Sequence, residues 1–288
     1  MPGSNHYSNW NDYVRIGHGD YDHGMQVKLI YLNARSLKGT NKFDEVLLMV
    51  NAVSPDIVAI TETWFSPGEE RLLHGIPEYL AHAVSREGKR GGGVILYKSE
   101  EYSSKMLSIC NKFHSILSVL VKNGNSNLNI VLAYNPNKRN TEWFLQDLES
   151  CLPMKNCPQQ IVLGDFNIDL LNSDGTFQEY LDLMAAYGLA NLNFTCPTRP
   201  ESGTLIDHVF VTESLFDGTS LSSIMTDISD HNLLILSVPL PRPVNRQHSE
   251  IDVVSVFVNY NLVNAYFSNN PLNFAETDVE NVCNLLLQ

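Results

Sequence analysis

The chain has 288 residues, 43% of them hydrophobic and 18% charged, with a formal net charge of −13. That size and balance suit a soluble globular fold of one or two domains with a sizeable core. The acidic total argues against a general polyanion binder, whose phosphate contacts come from lysine and arginine, and no apolar run approaches the roughly 20 residues that cross a bilayer. It does not exclude a nuclease, because a metal site itself needs acids. Arg86, Lys89 and Arg90, and Lys138 with Arg139, form small basic clusters that could hold DNA as easily as they could be ordinary surface charge.

The first residues, 1–25, are polar and lack apolar periodicity. They read as a flexible leader without a secretory signal, so the protein is expected not to be secreted. Cys110, Cys151, Cys157, Cys196 and Cys283 are odd in number and lack paired metal-type spacing. Free thiols in a reducing compartment are expected rather than a disulfide frame or zinc site.

Val27 to Asn33 predicts a strand ending in an amide, and Asn41 to Val53 a helix with Phe43, Val46, Leu47, Val50 and Val53 inward. Ser54-Pro55 should end that helix. Ile57 to Ile60 predicts a second strand, followed by Thr61-Glu62-Thr63-Trp64, another acid at a strand end. Gly91 to Gly93 could cradle phosphate, but no P-loop lysine follows, so a tight turn into a strand at Val94 to Tyr97 is expected. Ile116 to Val121 and Leu128 to Tyr134 predict a hairpin. A helix follows from Thr141, expected as its cap, to Ser150. Ile161 to Asp169 reads I-V-L-G-D-F-N-I-D, a buried strand with Asp165 at its tip. Phe177 to Tyr187 predicts a helix stopped by Gly188. Leu205 to Val211 predicts a strand containing Asp207-His208, and Ser229-Asp230-His231 precedes a last strand, Leu233 to Val238. The proline-rich stretch after Pro239 marks a domain edge. The expected organisation is a leader at 1–25, one domain at 26–240 and a linker or tail at 241–288.

Singly, these polar residues read as turn formers or solvated acids; Asp207-His208 could be a satisfied buried pair. Jointly, repeated strand ends in acids and amides would gather them on one rim. Several carboxylates beside a histidine repel one another unless a cation or hydrogen bonds compensate. Oxygen donors without paired cysteines favour Mg²⁺ or Mn²⁺ over zinc, a composition suited to phosphate-ester hydrolysis.

The ordered motifs N-A-R-S (Asn33), T-E-T-W (Glu62), A-Y-N-P (Tyr134), G-D-F-N (Asp165, Asn167), L-I-D-H (Asp207) and S-D-H (Asp230, His231) resemble the endonuclease/exonuclease/phosphatase superfamily. The chain looks most like the apurinic-endonuclease-like domain of LINE-type non-LTR retrotransposons, from about Val27 to Val238. The resemblance implies a DNase I-like α/β four-layer sandwich, two mixed β-sheets face to face with helices outside. It implies a metal-dependent endonuclease nicking double-stranded DNA. Glu62 would be the main metal ligand with Asn33 beside it, and Asp230 would support the metal or the histidine. Asp165 would orient or deprotonate water, and Asn167 would contact the scissile phosphate. His231 would meet the phosphate as a cation paired with Asp207, and Tyr134 would bond the phosphate or leaving oxygen. Thr198, in P-T-R, would match a threonine near the DNA.

Repair-type apurinic endonucleases carry an acid where this chain has Arg35. An arginine cannot ligate a metal but can bind phosphate or pair with a carboxylate, so Arg35 favours the retroelement branch and a DNA-backbone contact. The alternatives are another phosphoesterase of the superfamily, acting on abasic sites, inositol phosphates or sphingomyelin-type diesters, and a catalytically silent DNA-binding remnant. The retroelement reading also implies a reverse-transcriptase domain encoded elsewhere in a parent element, and a nuclear or cytoplasmic location.

Overall fold

Val27–Asn33 is apolar on both faces and buried on both, as a strand inside a layered structure must be. In the computed structural model it forms β1. The structure describes residues 26–240 except 39–40, 70–74, 87–90, 137–140, 153–158, 173–176 and 194. These belong to the first of two units, Met1–Asn245 and Arg246–Gln288; the expected leader and the tail at 241–288 lie outside the described residues. So do Lys89, Arg90, Lys138, Arg139, Cys157 and Cys283, whereas Cys110, Cys151 and Cys196 are free thiols.

After β1 come α1 (Lys42–Val53), β2 (Ile57–Thr61), β3 (Tyr79–Val84), β4 (Val94–Ser99), β5 (Ser103–Cys110), β6 (Ser115–Asn123) and β7 (Ser126–Tyr134). Then follow α2 (Thr141–Cys151), β8 (Gln160–Asp165), α3 (Gln178–Ala186), β9 (Leu189–Asn191), β10 (Asp207–Thr212), α4 (Glu213–Phe216), β11 (Ser220–Ile224) and β12 (Leu233–Val238). Thr141, expected as the cap of α2, is its first helical residue. Helix α1 stops at Val53 because Ser54 turns left-handed before Pro55. Among the described residues no helix is long and apolar enough to cross a membrane.

The strands form two mixed six-stranded sheets, ordered β11-β12-β1-β2-β4-β3 and β5-β6-β7-β8-β10-β9. Between them lies a core drawn from both, including Leu29, Ala59, Leu96, Leu132, Leu163, Val209 and Leu236. Val46, Met49 and Val50 of α1 cover the outer face of the first sheet. Phe144 and Leu148 of α2 and Tyr180 and Met184 of α3 cover the outer face of the second. This is a DNase I-like four-layer sandwich.

The topology gathers the strand-end residues. Each sheet has one parallel pair, β1–β2 and β7–β8, bridged by a helix. Parallel strands end on the same side, so Asn33 and Glu62 share one rim, as do Tyr134 and Asp165. Strands β10 and β12 run antiparallel to β8 and β1, so their starts reach those rims. Asp207 pairs with Asp165 directly, and Asp230 and His231 just precede β12.

Gly164 is fixed by this packing. Its φ is +148°, and a Cβ there would lie 1.8 Å from the Ala133 carbonyl oxygen on the neighbouring strand. Gly164→Ala is expected to destabilise the fold by about 3 kcal/mol or more, since backbone strain and overpacking add. Urea denaturation reads the drop in midpoint; an unchanged midpoint would mean that β7 and β8 are not held at this separation.

Candidate active site

Strand ends alone would leave the rim residues splayed; turns after them aim the side chains. Among the described residues seven non-glycines have positive φ, and five of them are Arg35, Ser36, Glu62, Trp64 and Asn167, on the loops leaving β1, β2 and β8. Such conformations cost roughly 1 kcal/mol or more each and persist where surrounding contacts enforce them. Here Ala34, Ser36 and Leu37 donate their N–H groups to the carbonyls of Thr61, Glu62 and Thr63, lacing the two loops together.

Asn33 links the acids. Its Nδ2 donates to Glu62 Oε1 at 3.0 Å and to Asp165 Oδ2 at 2.8 Å, while its Oδ1 accepts the Arg35 N–H. The other oxygen of Glu62 accepts Trp64 Nε1 at 3.0 Å. Tyr134, mostly buried, hydrogen-bonds Glu62; burial first, then the charges of Glu62 and Asp165, raise its pKa far above the ordinary phenol value. Asp165 Oδ1 accepts the Asn167 N–H, and the Asn167 amide donates to the Asn135 carbonyl at 2.7 Å.

Asp207 is fully buried between two donors. Tyr31 hydroxyl reaches Oδ1 at 2.7 Å, and His231 Nδ1–H reaches Oδ2 at 2.7 Å. That commitment leaves His231 Nε2 to meet a ligand. Burial alone would lower the His231 pKa, but the Asp207 charge and hydrogen bond, helped by Asp165 and Asp230, raise it to about 8. Asp165 is held well above the ordinary carboxylate range, by burial first and then by the Asp207 charge.

Other expected residues take partners that the sequence did not announce. Asp230 turns its Oδ2 to Arg35 Nη1 at 2.9 Å and to Arg199 Nε at 2.7 Å. Burial works against its charge, yet the Arg199 hydrogen bond and the nearby cations hold its pKa below the usual value. Thr198 is buried, and its hydroxyl accepts the N–H groups of Ile206 and Asp207. It therefore aligns the start of β10 instead of facing solvent. Asp207 and His208 are not a pair: alternation along β10 sends His208 to the opposite face, bonded to Tyr180 and stacked on Phe166, its pKa lowered to about 4 by burial. Asp169 accepts the Leu171 and Leu205 N–H groups and ties two loops.

Tyr31 and Arg199 were not singled out from the sequence. Tyr31 lies two residues before Asn33 on one strand and so shares its face, the signal that could have found it.

Asp165, Asp207 and His231 present ligand atoms within 4.8 Å of one another, all buried. Glu62 adjoins them through Asn33 Nδ2, so the donors gathered here are carboxylate oxygens with one imidazole beside them. This set fits a hard divalent cation.

Residues 17–231 match the Endonuclease/Exonuclease/phosphatase family, a span that starts within the segment expected as leader. The fold is similar to the endonuclease domain of TRAS1, a telomere-specific non-LTR retrotransposon, with TM-score 0.61 and 15% identity over 75% of this chain and 100% of that one. It is also similar to the AP endonuclease LMAP of Leishmania major, with TM-score 0.60 and 16% identity over 77% and 90% of the two chains. A third similar structure is the human Nocturnin catalytic domain, with TM-score 0.54 and 14% identity over 75% and 94%. No curated protein matches the sequence.

Proposed function

The chain belongs to the endonuclease/exonuclease/phosphatase family, and on that premise we propose that it is a divalent-metal-dependent endonuclease that nicks double-stranded DNA. The observation that carries this is the Asp165–Asp207–His231 cluster, tied through Asn33 to Glu62. Glu62, with Asn33 beside it, would hold Mg²⁺ or Mn²⁺, which when bound supplies positive charge against the charge developing on the phosphate oxygens.

The remaining work falls to the chain's own groups. Asp165 orients and deprotonates the attacking water. His231, kept cationic by Asp207, donates from Nε2 to a phosphate oxygen. Asn167 offers its amide to the scissile phosphate, and Tyr134 donates toward the phosphate or leaving oxygen. Asp230 holds Arg35 and Arg199 together at the rim, where two guanidiniums favour a DNA backbone. Arg35 in place of an acid supports the retroelement-type reading over abasic-site repair. A reverse-transcriptase domain supplied by a parent element, and access to nuclear DNA, belong to the same proposal.

Supercoiled plasmid incubated with the protein and Mg²⁺ should convert to open circles, and EDTA should stop the conversion. An abasic duplex and a small phosphate monoester, run in parallel, should be poorer substrates. Preferential hydrolysis of either, with plasmid intact, would transfer the site to another phosphoesterase activity.

A further inference from the structure

Arg86 lies just beyond the end of β3, and its Nε is buried with no hydrogen-bond partner among the described residues. The other described arginines, Arg35 and Arg199, both bond Asp230. Arg86 makes no ion pair among the described residues. An arginine cannot shed its charge to escape this situation, and a buried donor left unpaired is costly. Something must therefore compensate it when the site is in use.

Its position says what. A Cβ on Gly92 would lie 3.1 Å from Arg86 Cδ and 3.4 Å from Tyr134 Cε1. Gly92, at φ +78°, therefore leaves the room in which the arginine stem and the tyrosine ring both pack against the backbone. The Gly92 and Gly93 carbonyls accept the N–H groups of Trp64 and Thr63, fixing this turn to the loop that carries Glu62. The arginine stem is thus held near the Tyr134 ring, on a turn fixed to the loop that carries Glu62, and its charge reaches Tyr134, where it opposes the rise in pKa.

We propose that Arg86 is a phosphodiester-binding residue of this site, its guanidinium taking a non-bridging oxygen of the DNA strand next to Tyr134. This rests on the nuclease reading. The planar fork matches a phosphate, and the bound diester supplies the acceptor that the fold withholds.

The test compares Arg86→Gln, which removes the charge, with Arg86→Lys, which keeps the charge and loses the fork. Both are made in an Asp165→Asn background, so that a fluorescent duplex is bound and not cut. Arg86→Gln should weaken binding at least fivefold and reduce the slope of log affinity against log salt by about 1. Arg86→Lys should keep the slope and lose less affinity, with melting temperatures of both close to the parent. Affinity and slope unchanged in Arg86→Gln, with nicking by the wild type intact, would overturn the contact alone. A second arm titrates dimethyl phosphate into the wild type and follows the Arg86 Nε–H resonance. If plasmid nicking fails and that resonance still moves, the nuclease reading falls and the phosphate contact stands; a resonance that stays still would overturn it.

Discussion

Asp165→Asn is expected to lower turnover by about three to four orders of magnitude while DNA affinity changes little. A general base contributes up to about 10⁴-fold, and an interaction made only in the transition state leaves ground-state binding in place. The asparagine keeps the shape, and its oxygen can still accept the Asn167 N–H. Its NH₂ would then face Asn33 Nδ2, which now donates to Asp165 Oδ2 at 2.8 Å, so one hydrogen bond is lost. Against that loss stands the removal of a buried carboxyl whose charged form is opposed by burial and by Asp207. Melting temperature should therefore hold or rise, as it does when a strained functional group is relaxed. Single-turnover nicking and a thermal melt on the same preparation decide the matter. A large fall in melting temperature, or turnover within tenfold of wild type, would remove Asp165 from the role of base.

The sequence disclosed the interior strands and missed the margins, for one physical reason. Strands β1, β2, β4, β6, β7, β8, β10 and β12 sit inside the sheets and read as apolar runs. The four strands without such a signal, β3, β5, β9 and β11, are the edges of the two sheets. Strand β5 is exposed or half-buried along its whole length, and β3 is largely half-exposed. The long connection from Ser66 to Gly91 thus contains a strand. The rim residues were legible because chain order and strand ends determine where they gather. Their partners were not. Tyr31 reaches Asp207 across the gap between the sheets, and no local pattern shows a contact 176 residues apart. Likewise Asp230 gave no sign that its oxygen is taken by two arginines, one of them 195 residues away.

Asp207→Asn should move the alkaline limb of the pH–rate profile downward and cost about 100-fold or more in turnover at pH 7.5. If His231 acts as a cation, wild-type activity declines as pH rises through about 8. The asparagine removes the foremost of the anions that oppose the effect of burial on His231, with Asp165 and Asp230 remaining, so the imidazole pKa should fall from about 8. The variant then holds less of its cation at pH 7.5 and should recover part of its activity on acidification. Stability carries the same signature in metal-free protein. A histidine whose folded pKa is raised contributes stability that is full below pH 6.5 and lost as pH rises through about 8. For a shift of that size the contribution is roughly 2 kcal/mol. Asp165, also raised on folding, adds a loss in the same direction above its unfolded value of 3.8. Urea midpoints between pH 6 and 8.5 in EDTA should therefore fall in the wild type and flatten in Asp207→Asn. A limb that stays in place in the variant would mean that the catalytic cation is not His231. In that case the Asp207–His231 bond would serve only to join β10 to the turn before β12.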